Sequence, residues 1–263
     1  MSESQPKLFL IGLGIVVPGH VTFQASHAMS QCAEIYSIVQ EPAQLWLPPG
    51  AFGKIKVVNV LEWYVENKIR TQNYENVARS ILKAVVPNRN IGYVTYGNPM
   101  AYDRVAQNLV EYSREGKFTV QVIPGISSID TVLCDLGFDI APAIQVFEAS
   151  WLVACKIHPR VDMPVLLMQV GAFGSLRTHY SKRHDGSSLT DLIKHLSPFY
   201  PSSHLTYLVR STTREDQRAG VCEVTLSNLC RVTAEQLSGA SLYIPPVTNT
   251  EPDAAILALM TEA

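Results

Sequence analysis

Short apolar runs alternate with amphipathic stretches along the first half of the chain. The runs predict buried strands at 7–11, 34–39, 56–60, 91–96 and 119–123. Helical spacing and the possible N-caps Thr22, Ser127 and Ser128 predict helices at 23–33, 73–86 and 102–115 and one ending at Leu136. Residues 40–53 are rich in proline and are predicted to be irregular. Strands that alternate with helices indicate a mostly parallel α/β sheet.

The helix predicted at 73–86 has the clearest pattern of all. Its apolar positions, from Tyr74 to Val85, recur at i, i+3, i+4, i+7, i+8 and i+11 and form one face. Arg70 lies four residues before Tyr74. If the helix starts earlier than the pattern requires, the side chains of Arg70 and Tyr74 will therefore lie together.

The pattern changes near residue 140. Strands are predicted at 145–148, 165–170, 205–209, 223–225 and 241–244, with helices at 189–196 and after Pro252. Long polar connections occupy 178–188 and 211–220. We therefore predict two domains, a parallel α/β domain at 1–140 and an α+β domain at 141–263.

Glycine or proline follows three of the predicted strands. Gly12 and Gly14 follow the first strand, residues 97–99 the fourth and residues 124–125 the fifth. The first loop is not a dinucleotide fingerprint, because the third glycine of G-x-G-x-x-G would fall at Val17. Ligands of open parallel sheets bind outside the carboxyl ends of the strands, so the three loops are expected to line one cleft. A tight turn without a ligand stays an alternative for the first loop.

Composition excludes several classes of protein. The chain has 263 residues and is 47% apolar, as expected for a globular protein. Its formal net charge of −2 does not indicate binding to nucleic acid or to an anionic membrane. The apolar run at 8–17 is too short to span a bilayer. Five widely spaced cysteines without a Cys-x-x-Cys pair favour a reducing, cytoplasmic setting.

Conventional catalytic and metal sites are missing from the sequence. The histidines show no metal-binding spacing, so no metal site is expected. Neither a G-x-S-x-G nucleophile motif nor a Walker phosphate loop is present.

Three tyrosines and an arginine are the more unusual candidates: Tyr64, Arg70, Tyr74 and Tyr96. A phenol has a pKa of about 10, so it normally donates a hydrogen bond at neutral pH. Phenols and a guanidinium aimed at a carbonyl oxygen stabilise developing negative charge, which makes an amide nitrogen nucleophilic. The alternative is that Tyr74 and Tyr96 are amphipathic core residues whose hydroxyls reach water.

These residues belong to an ordered set of motifs that resembles a known family. Leu-Ile-Gly-Leu-Gly at 10–14, the turn at 97–99 and Pro-Gly-Ile-Ser-Ser at 124–128 resemble the tetrapyrrole methylase superfamily. Within it, the chain is most similar to borosin-type peptide α-N-methyltransferases. The shared motifs are Trp63-Tyr64-(x)5-Arg70-(x)3-Tyr74, Tyr96–Pro99, Val122–Ser128, Asp135–Gly137, Phe147–Ser150, Met168–Gly171 and Leu242–Pro246.

The resemblance implies a fold, a cofactor and a set of site residues. The fold is that of class III methyltransferases, two α/β domains with the site for S-adenosylmethionine (SAM) between them, and S-adenosylhomocysteine is the product. The implied catalytic residues are Tyr64, Arg70, Tyr74 and Tyr96, with Tyr74 and Arg70 facing the amide oxygen, Tyr64 assisting removal of the N–H proton and the SAM methyl pointing toward Tyr96. The implied SAM-binding residues are Gly12, Pro99, Met100, Tyr102, Gly125, Ser127, Ser128, Gln169, Ser241 and Leu242.

Two departures from the family pattern refine this expectation. Many tetrapyrrole enzymes have Gly-Asp-Pro where this chain has Gly97-Asn98-Pro99, which argues against a tetrapyrrole substrate. Fungal borosin enzymes carry their peptide substrate at the C-terminus, whereas residues 254–260 leave no spare segment here. The resemblance therefore implies a precursor peptide supplied as a separate chain, as in the bacterial split systems.

Partners and rival functions follow from the same resemblance. It implies a homodimer, or a heterotetramer with the peptide, with 178–188 and 211–220 as candidate partner contacts, although such loops are more often solvated surface. One rival function is methylation of a tetrapyrrole or another small molecule. The other is a catalytically silent SAM-binding subunit, against which the intact tyrosines and Arg70 argue.

Overall fold

The computed structural model describes residues 5–179, 184–248 and 251–261. The chain divides into two compact units. The first comprises the described residues of Met1–Cys134, Ser175–Lys182 and Ser211–Ala219, and the second comprises those of Asp135–Gly174, Arg183–Arg210 and Gly220–Ala263. The division at residue 140 stays a prediction.

The first unit is built on a parallel sheet of five strands. They are β1 (Lys7–Gly12), β2 (Glu34–Ser37), β3 (Lys56–Asn59), β4 (Ile91–Thr95) and β5 (Thr119–Ile123), in the order β3-β2-β4-β1-β5. The helices are α1 (Phe23–Ser30), α2 (Ala43–Trp46), α3 (Arg70–Leu82), α4 (Arg104–Ser113) and α5 (Ser128–Leu136). The predicted parallel α/β sheet is confirmed, and α2 lies in the stretch that was predicted to be irregular.

Each face of this sheet carries its own apolar cluster. Alternate residues of β1 separate between them, because successive side chains of a strand point to opposite faces. Leu8 and Leu10 pack with α3 and α4 residues, whereas Phe9 and Ile11 pack with α1 residues. We call the face that carries Leu8 and Leu10 the α3 face, and the face that carries Phe9 and Ile11 the α1 face.

Helix α3 begins three residues earlier than predicted, at Arg70. A segment from later in the chain pairs with the backbone at this helix start. Ile69 forms an antiparallel bridge with Arg177, and the Arg70 N–H donates to the Leu176 carbonyl at 2.9 Å. Because the first N–H groups of a helix have no partner inside the helix, this segment satisfies one of them.

The second unit contains a mixed sheet. Its strands are β6 (Gln145–Glu148), β7 (Val165–Met168), β8 (Leu205–Arg210), β9 (Gly220–Thr225) and β10 (Ser241–Ile244), in the order β6-β7-β10-β8-β9. Only β6 and β7 are parallel. Its helices are α6 (Ala149–Ala154), α7 (Thr190–Leu196), α8 (Ala234–Leu237) and α9 (Ala254–Thr261). The assignment of 141–263 as an α+β domain stays a prediction.

Within the described ranges, no helix combines the length and the apolar character needed to cross a bilayer. The predicted loop at 178–188 lies in part outside the described residues, at 180–183.

Candidate active site

Three strand exits meet at a junction made of glycine backbone. A Cβ atom on Gly12 would lie 2.3 Å from the Gly97 carbonyl oxygen and 2.7 Å from the Gly125 nitrogen. A Cβ on Gly125 would lie 2.3 Å from the same carbonyl. Real Cβ atoms do not approach backbone so closely, so only glycine fits at these two positions. The exits of β1, β4 and β5 therefore converge as the sequence predicts.

The turn after β4 is closed by Asn98. Its Oδ1 accepts a hydrogen bond from the Met100 N–H at 2.9 Å, while its carbonyl accepts one from the Ala101 N–H at 2.9 Å. Asparagine commonly forms such a side-chain turn. Pro99 is buried and Met100 is exposed, so the turn presents Met100 to solvent.

Tyr102 has a left-handed backbone conformation, with φ of 62°. This conformation costs a residue other than glycine about 1–3 kcal/mol, and such residues cluster at functional sites. A bulky side chain held in this way directly after the glycine junction supports the assignment of this turn to ligand binding.

Ser127 has a structural task at the exit of β5. Its hydroxyl accepts hydrogen bonds from the Ile129 and Asp130 N–H groups and donates to Asp130 Oδ2 at 2.8 Å. It is therefore the N-cap of α5, one of the two caps that the sequence allowed. Ser128, at the first position of the helix, is half-buried.

Arg70 and Tyr74 form the core of the candidate catalytic site on the α3 face. Arg70 Nε donates to the Tyr74 hydroxyl at 2.9 Å, and its Nη1 donates to the Ser175 carbonyl at 3.5 Å. The Tyr64 ring packs edge-on against the Tyr74 ring, with centroids 6.0 Å apart. All three side chains are half-buried. The side chains of Arg70 and Tyr74 thus lie together, as expected for a helix that starts early, at Arg70. The catalytic roles of Tyr64, Arg70 and Tyr74 stay a prediction.

A fully buried asparagine, which the sequence did not reveal, holds this site together. Asn73 Nδ2 donates to the Val65 carbonyl and to Thr178 Oγ1, each at 2.8 Å, and its Oδ1 accepts from the Val65 N–H at 3.1 Å. It thus fastens the residue after Tyr64 and the segment that covers the helix start. No periodicity marks such a residue, because its hydrogen bonds to Val65 and Thr178 form only when the chain folds back on itself.

Tyr96 departs from the expected set. Its ring packs on the α1 face, whereas Tyr64 and Tyr74 pack on the α3 face. Its hydroxyl donates to Glu41 Oε2 at 2.5 Å and accepts from the Gln40 N–H at 2.8 Å. Burial and the Glu41 contact raise the pKa of this phenol. Tyr96 therefore packs on the opposite face of the sheet from Tyr64 and Tyr74, because alternate positions along a strand face opposite sides. Its assignment to the catalytic set stays a prediction.

Tyr93 and Asp103 are polar residues on the α3 face that sequence reasoning missed. The buried Tyr93 hydroxyl donates to Asp103 Oδ2 at 3.0 Å, and Asp103 Oδ1 caps α4 by accepting from the Ala106 N–H at 3.0 Å. Burial raises the pKa of the Asp103 carboxyl, although its hydrogen bonds oppose that shift. Burial, followed by the charges of Asp103 and Tyr64, raises the pKa of Tyr93. A carboxylate thus bonds to a phenol on the same face of the sheet as Tyr64 and Tyr74.

The remaining predicted SAM residues belong to the second unit. Gln169 has a left-handed backbone, with φ of 58°. The buried Ser241 hydroxyl donates to Met168 Sδ at 3.6 Å. Leu242 is fully buried and pairs with strands on both sides. Their assignment to SAM binding stays a prediction.

Among the described residues, no group of three or more histidine, cysteine, aspartate or glutamate side chains could hold a metal ion.

Two curated relatives cover nearly all of this chain. One is a methyltransferase and ribosomally synthesized type II borosin cyclic peptide precursor from Phlebiopsis gigantea, 25% identical over 251 residues, covering 92% of this chain and 43% of the relative. The other is a methyltransferase and cyclic peptide dendrothelin A precursor from Dendrothele bispora, 25% identical over 268 residues, covering 98% and 63%. The chain spans about half the length of these relatives.

Solved structures share the fold at low sequence identity. The methyltransferase CobJ matches with a TM-score of 0.63 and 14% identity, covering 94% of this chain and 97% of CobJ. Uroporphyrin-III C-methyltransferase from Thermus thermophilus, complexed with S-adenosylhomocysteine, matches with a TM-score of 0.59 and 16% identity, covering 91% and 97%. The family model for tetrapyrrole (corrin/porphyrin) methylases matches residues 7–230. The chain therefore belongs to the tetrapyrrole methylase family.

Proposed function

We propose that this member of the family is a SAM-dependent methyltransferase that methylates backbone amide nitrogens of a peptide. The observation that carries the proposal is the hydrogen bond from Arg70 to the Tyr74 hydroxyl, with Tyr64 packed against Tyr74. The borosin relatives, which unite a methyltransferase with a cyclic peptide precursor, favour a peptide acceptor.

The Arg70–Tyr74 pair polarises a peptide amide by a hydrogen bond to the amide oxygen. Arg70 Nε occupies a lone pair of the Tyr74 oxygen, so the phenolic proton of Tyr74 stays available to an acceptor. A hydrogen bond to the amide oxygen stabilises the imidate form, in which the nitrogen becomes nucleophilic. This is positioning and charge stabilisation, for which the site needs neither a metal nor a covalent nucleophile.

Tyr64 assists the removal of the amide N–H proton. Its ring packs beside Tyr74, so the two phenols can address the nitrogen and the oxygen of one amide. Tyr64 assists directly or through a water: its oxygen accepts the amide proton while its own hydroxyl proton passes to water, so the phenol stays neutral. The Asp103 carboxylate, bonded to Tyr93 near Tyr64, biases this region toward accepting positive charge.

The turns of the first unit fit the chemistry of SAM. The apolar Pro99, the exposed thioether of Met100 and the aromatic Tyr102 suit an adenosyl ligand, with the polar backbone at Gly12 and Gly125 beside them. Ser127, Ser128, Gln169, Ser241 and Leu242 stay proposed contacts. Bound SAM supplies an electrophilic methyl group on a sulfonium. Tyr96 keeps its place in the proposal as a residue that shapes the loop at Gln40–Glu41, and not as a partner of Tyr74.

The source of the peptide and the assembly are also proposals. We infer a precursor peptide supplied as a separate chain, and a homodimer that forms a heterotetramer with it. Co-purification of a tagged enzyme with an untagged candidate peptide, followed by light scattering, tests both inferences.

The deciding experiment is co-expression with candidate precursor peptides and tandem mass spectrometry. The proposal expects additions of 14 Da on backbone nitrogens, absent when Tyr74→Phe replaces the wild type. Incubation of the purified enzyme with uroporphyrinogen and SAM tests the rival acceptor. Methylation of the tetrapyrrole and of no peptide would reject the peptide assignment, and SAM binding without any product would indicate a silent subunit.

A further inference from the structure

A groove runs along the α3 face of the first unit, away from the glycine junction. Its floor is formed by residues that pair in register across β2 and β3, Glu34 with Lys56 and Tyr36 with Val58. Its remaining lining residues are Trp63, Ser80, Lys83, Ala84 and Arg89. The volume is about 540 Å³. The two lining positions on each strand lie about 7 Å apart.

The groove is positively charged although the chain as a whole carries a formal charge of −2. Its single carboxylate, Glu34, is 3% exposed and already neutralised by two cations. Lys56 Nζ contacts Oε1 at 2.6 Å, and Arg89 Nη2 contacts Oε2 at 2.7 Å. Burial alone would raise the pKa of Glu34, but Lys56, Tyr36 and Arg89 outweigh it and lower that pKa.

Two cations held by one buried carboxylate leave an excess of positive charge. Lys83 adds a third cation on the groove wall, and it forms no ion pair within the part of the chain that the structure describes. The groove therefore has a formal charge of about +2 from three cations and one carboxylate. Arg89 uses one nitrogen for Glu34, so other guanidinium donors remain for a second anion. Because Glu34 fixes Lys56 and Arg89 in place, less side-chain entropy is lost when an anion binds.

Shape favours an extended chain over a small ion. The floor combines charge with the aromatic rings of Tyr36 and Trp63, whose centroids lie 5.7 Å apart. Small-molecule sites bury most of their ligand, whereas this groove is open along the sheet. An extended peptide can place acidic side chains on the cations and apolar ones on the rings.

The groove is also connected to the candidate catalytic site. Trp63 lies at one end of it and directly precedes Tyr64. Lys83 is the C-cap of α3 and follows Tyr74 by nine residues. The two residues are therefore about 14 Å apart along the helix axis. An extended peptide covers this length in about four residues.

We propose that this groove binds an acidic stretch of the peptide acceptor, about four residues from the amide that is methylated. The inference rests on the proposed function, since it names a recognition feature of the same substrate. Arg70 and Tyr74 would determine which reaction occurs, and the groove would determine which peptide is bound for that reaction.

Binding is measured by fluorescence anisotropy with a labelled nonapeptide of alternating glutamate and valine, in the absence of SAM. A peptide of alternating lysine and valine serves as its counterpart. We expect the acidic peptide to bind at least tenfold more tightly, with affinity falling as salt rises. Lys83→Glu should weaken binding at least tenfold. Lys54→Glu, an equal charge change on an exposed lysine outside the groove, should change it less than twofold.

Equal effects of the two substitutions, or no preference for the acidic peptide, would overturn the inference. So would binding of inorganic phosphate that depends on Lys83 when neither peptide binds, since this would indicate a small-anion site. The readout does not involve methyl transfer. Methylation of a peptide without acidic preference would reject the groove alone, whereas acidic-peptide binding without any methylation would reject the proposed reaction.

Discussion

Asn73 pairs with Val65 through both atoms of its amide, accepting from the Val65 N–H at 3.1 Å and donating to the Val65 carbonyl at 2.8 Å. Val65 follows Tyr64 and Asn73 precedes Tyr74, so this one contact sets the spacing of the two phenols. A third hydrogen bond, to Thr178, ties the same side chain to the segment that covers the start of α3. The spacing of these two proposed catalytic phenols therefore depends on Asn73, which bonds to Val65 and Thr178.

Asn73→Asp tests this positioning role. The carboxylate keeps the shape but cannot donate to the Val65 carbonyl, which leaves a buried acceptor without a partner at a cost of about 1–3 kcal/mol. We expect kcat to fall at least tenfold while the Kd for SAM, measured by calorimetry, changes less than twofold. Thr178→Val removes only the outer contact and should lower kcat less. An Asn73→Asp enzyme with unchanged kcat would show that the phenol spacing does not depend on this contact.

Tyr74→Phe tests the proposed donor to the amide oxygen. Removal of one such donor typically lowers the rate by about 10²–10³. We expect a loss of that order in kcat for peptide methylation, with SAM binding retained. Tyr112→Phe is the matched control, because Tyr112 bonds to Glu75 on the flank of α3 and not to Arg70. Full turnover by Tyr74→Phe would remove Tyr74 from the mechanism.

Tyr96→Phe should behave differently from Tyr74→Phe. The Tyr96 hydroxyl bonds to Glu41 and to the Gln40 N–H, and its ring packs on the α1 face, opposite the face on which Tyr74 packs. We expect kcat to fall less than tenfold, with any larger effect in the KM for SAM. The two parameters are separated by varying SAM at saturating peptide. A loss in kcat equal to that of Tyr74→Phe would place Tyr96 in the chemical step.

Gly125→Ala tests the glycine junction. The added Cβ would lie 2.3 Å from the Gly97 carbonyl oxygen and 2.8 Å from Gly12, so the loop backbone has to move. Overpacking of this kind costs about 1–3 kcal/mol, and SAM affinity should fall at least tenfold. Gly220→Ala is the control, since its nearest neighbour would lie 3.9 Å away. Denaturant unfolding and calorimetry measure the two effects, and equal behaviour of both variants would contradict the proposed close approach.

Asp103 predicts a pH dependence of stability. Burial raises its pKa in the folded chain, so the folded state holds this proton more tightly than the unfolded state does. Its contribution to the free energy of unfolding therefore falls as pH rises from the unfolded pKa of about 3.9 through the raised folded pKa. Asp103→Asn, which keeps a good N-cap, should gain stability relative to the wild type across that window.

The control for this prediction is Asp139→Asn, an exposed aspartate. Thermal unfolding from pH 4 to pH 8 should show a rising difference between Asp103→Asn and the wild type and a flat one for Asp139→Asn. A flat difference for both variants would mean that burial does not perturb the Asp103 carboxyl.

Local patterns in the sequence predicted much of the fold and part of the site. Apolar runs and helical periodicity located the parallel strands, and the spacing of four between Arg70 and Tyr74 placed their side chains together because α3 begins at Arg70. Glycine at the ends of β1, β4 and β5 predicted their convergence, since only glycine allows such close backbone contact.

Tertiary structure alone decided which of these residues act together. A parallel strand buried on both faces shows no alternation of apolar and polar positions, so the sequence does not reveal which face of β4 packs against α1 and which against α3. The hydrogen bond from Asn73 to Thr178 and the pairing of Ile69 with Arg177 join segments about a hundred residues apart. Contacts of that kind follow from how the chain packs, and a local pattern of residues does not encode them.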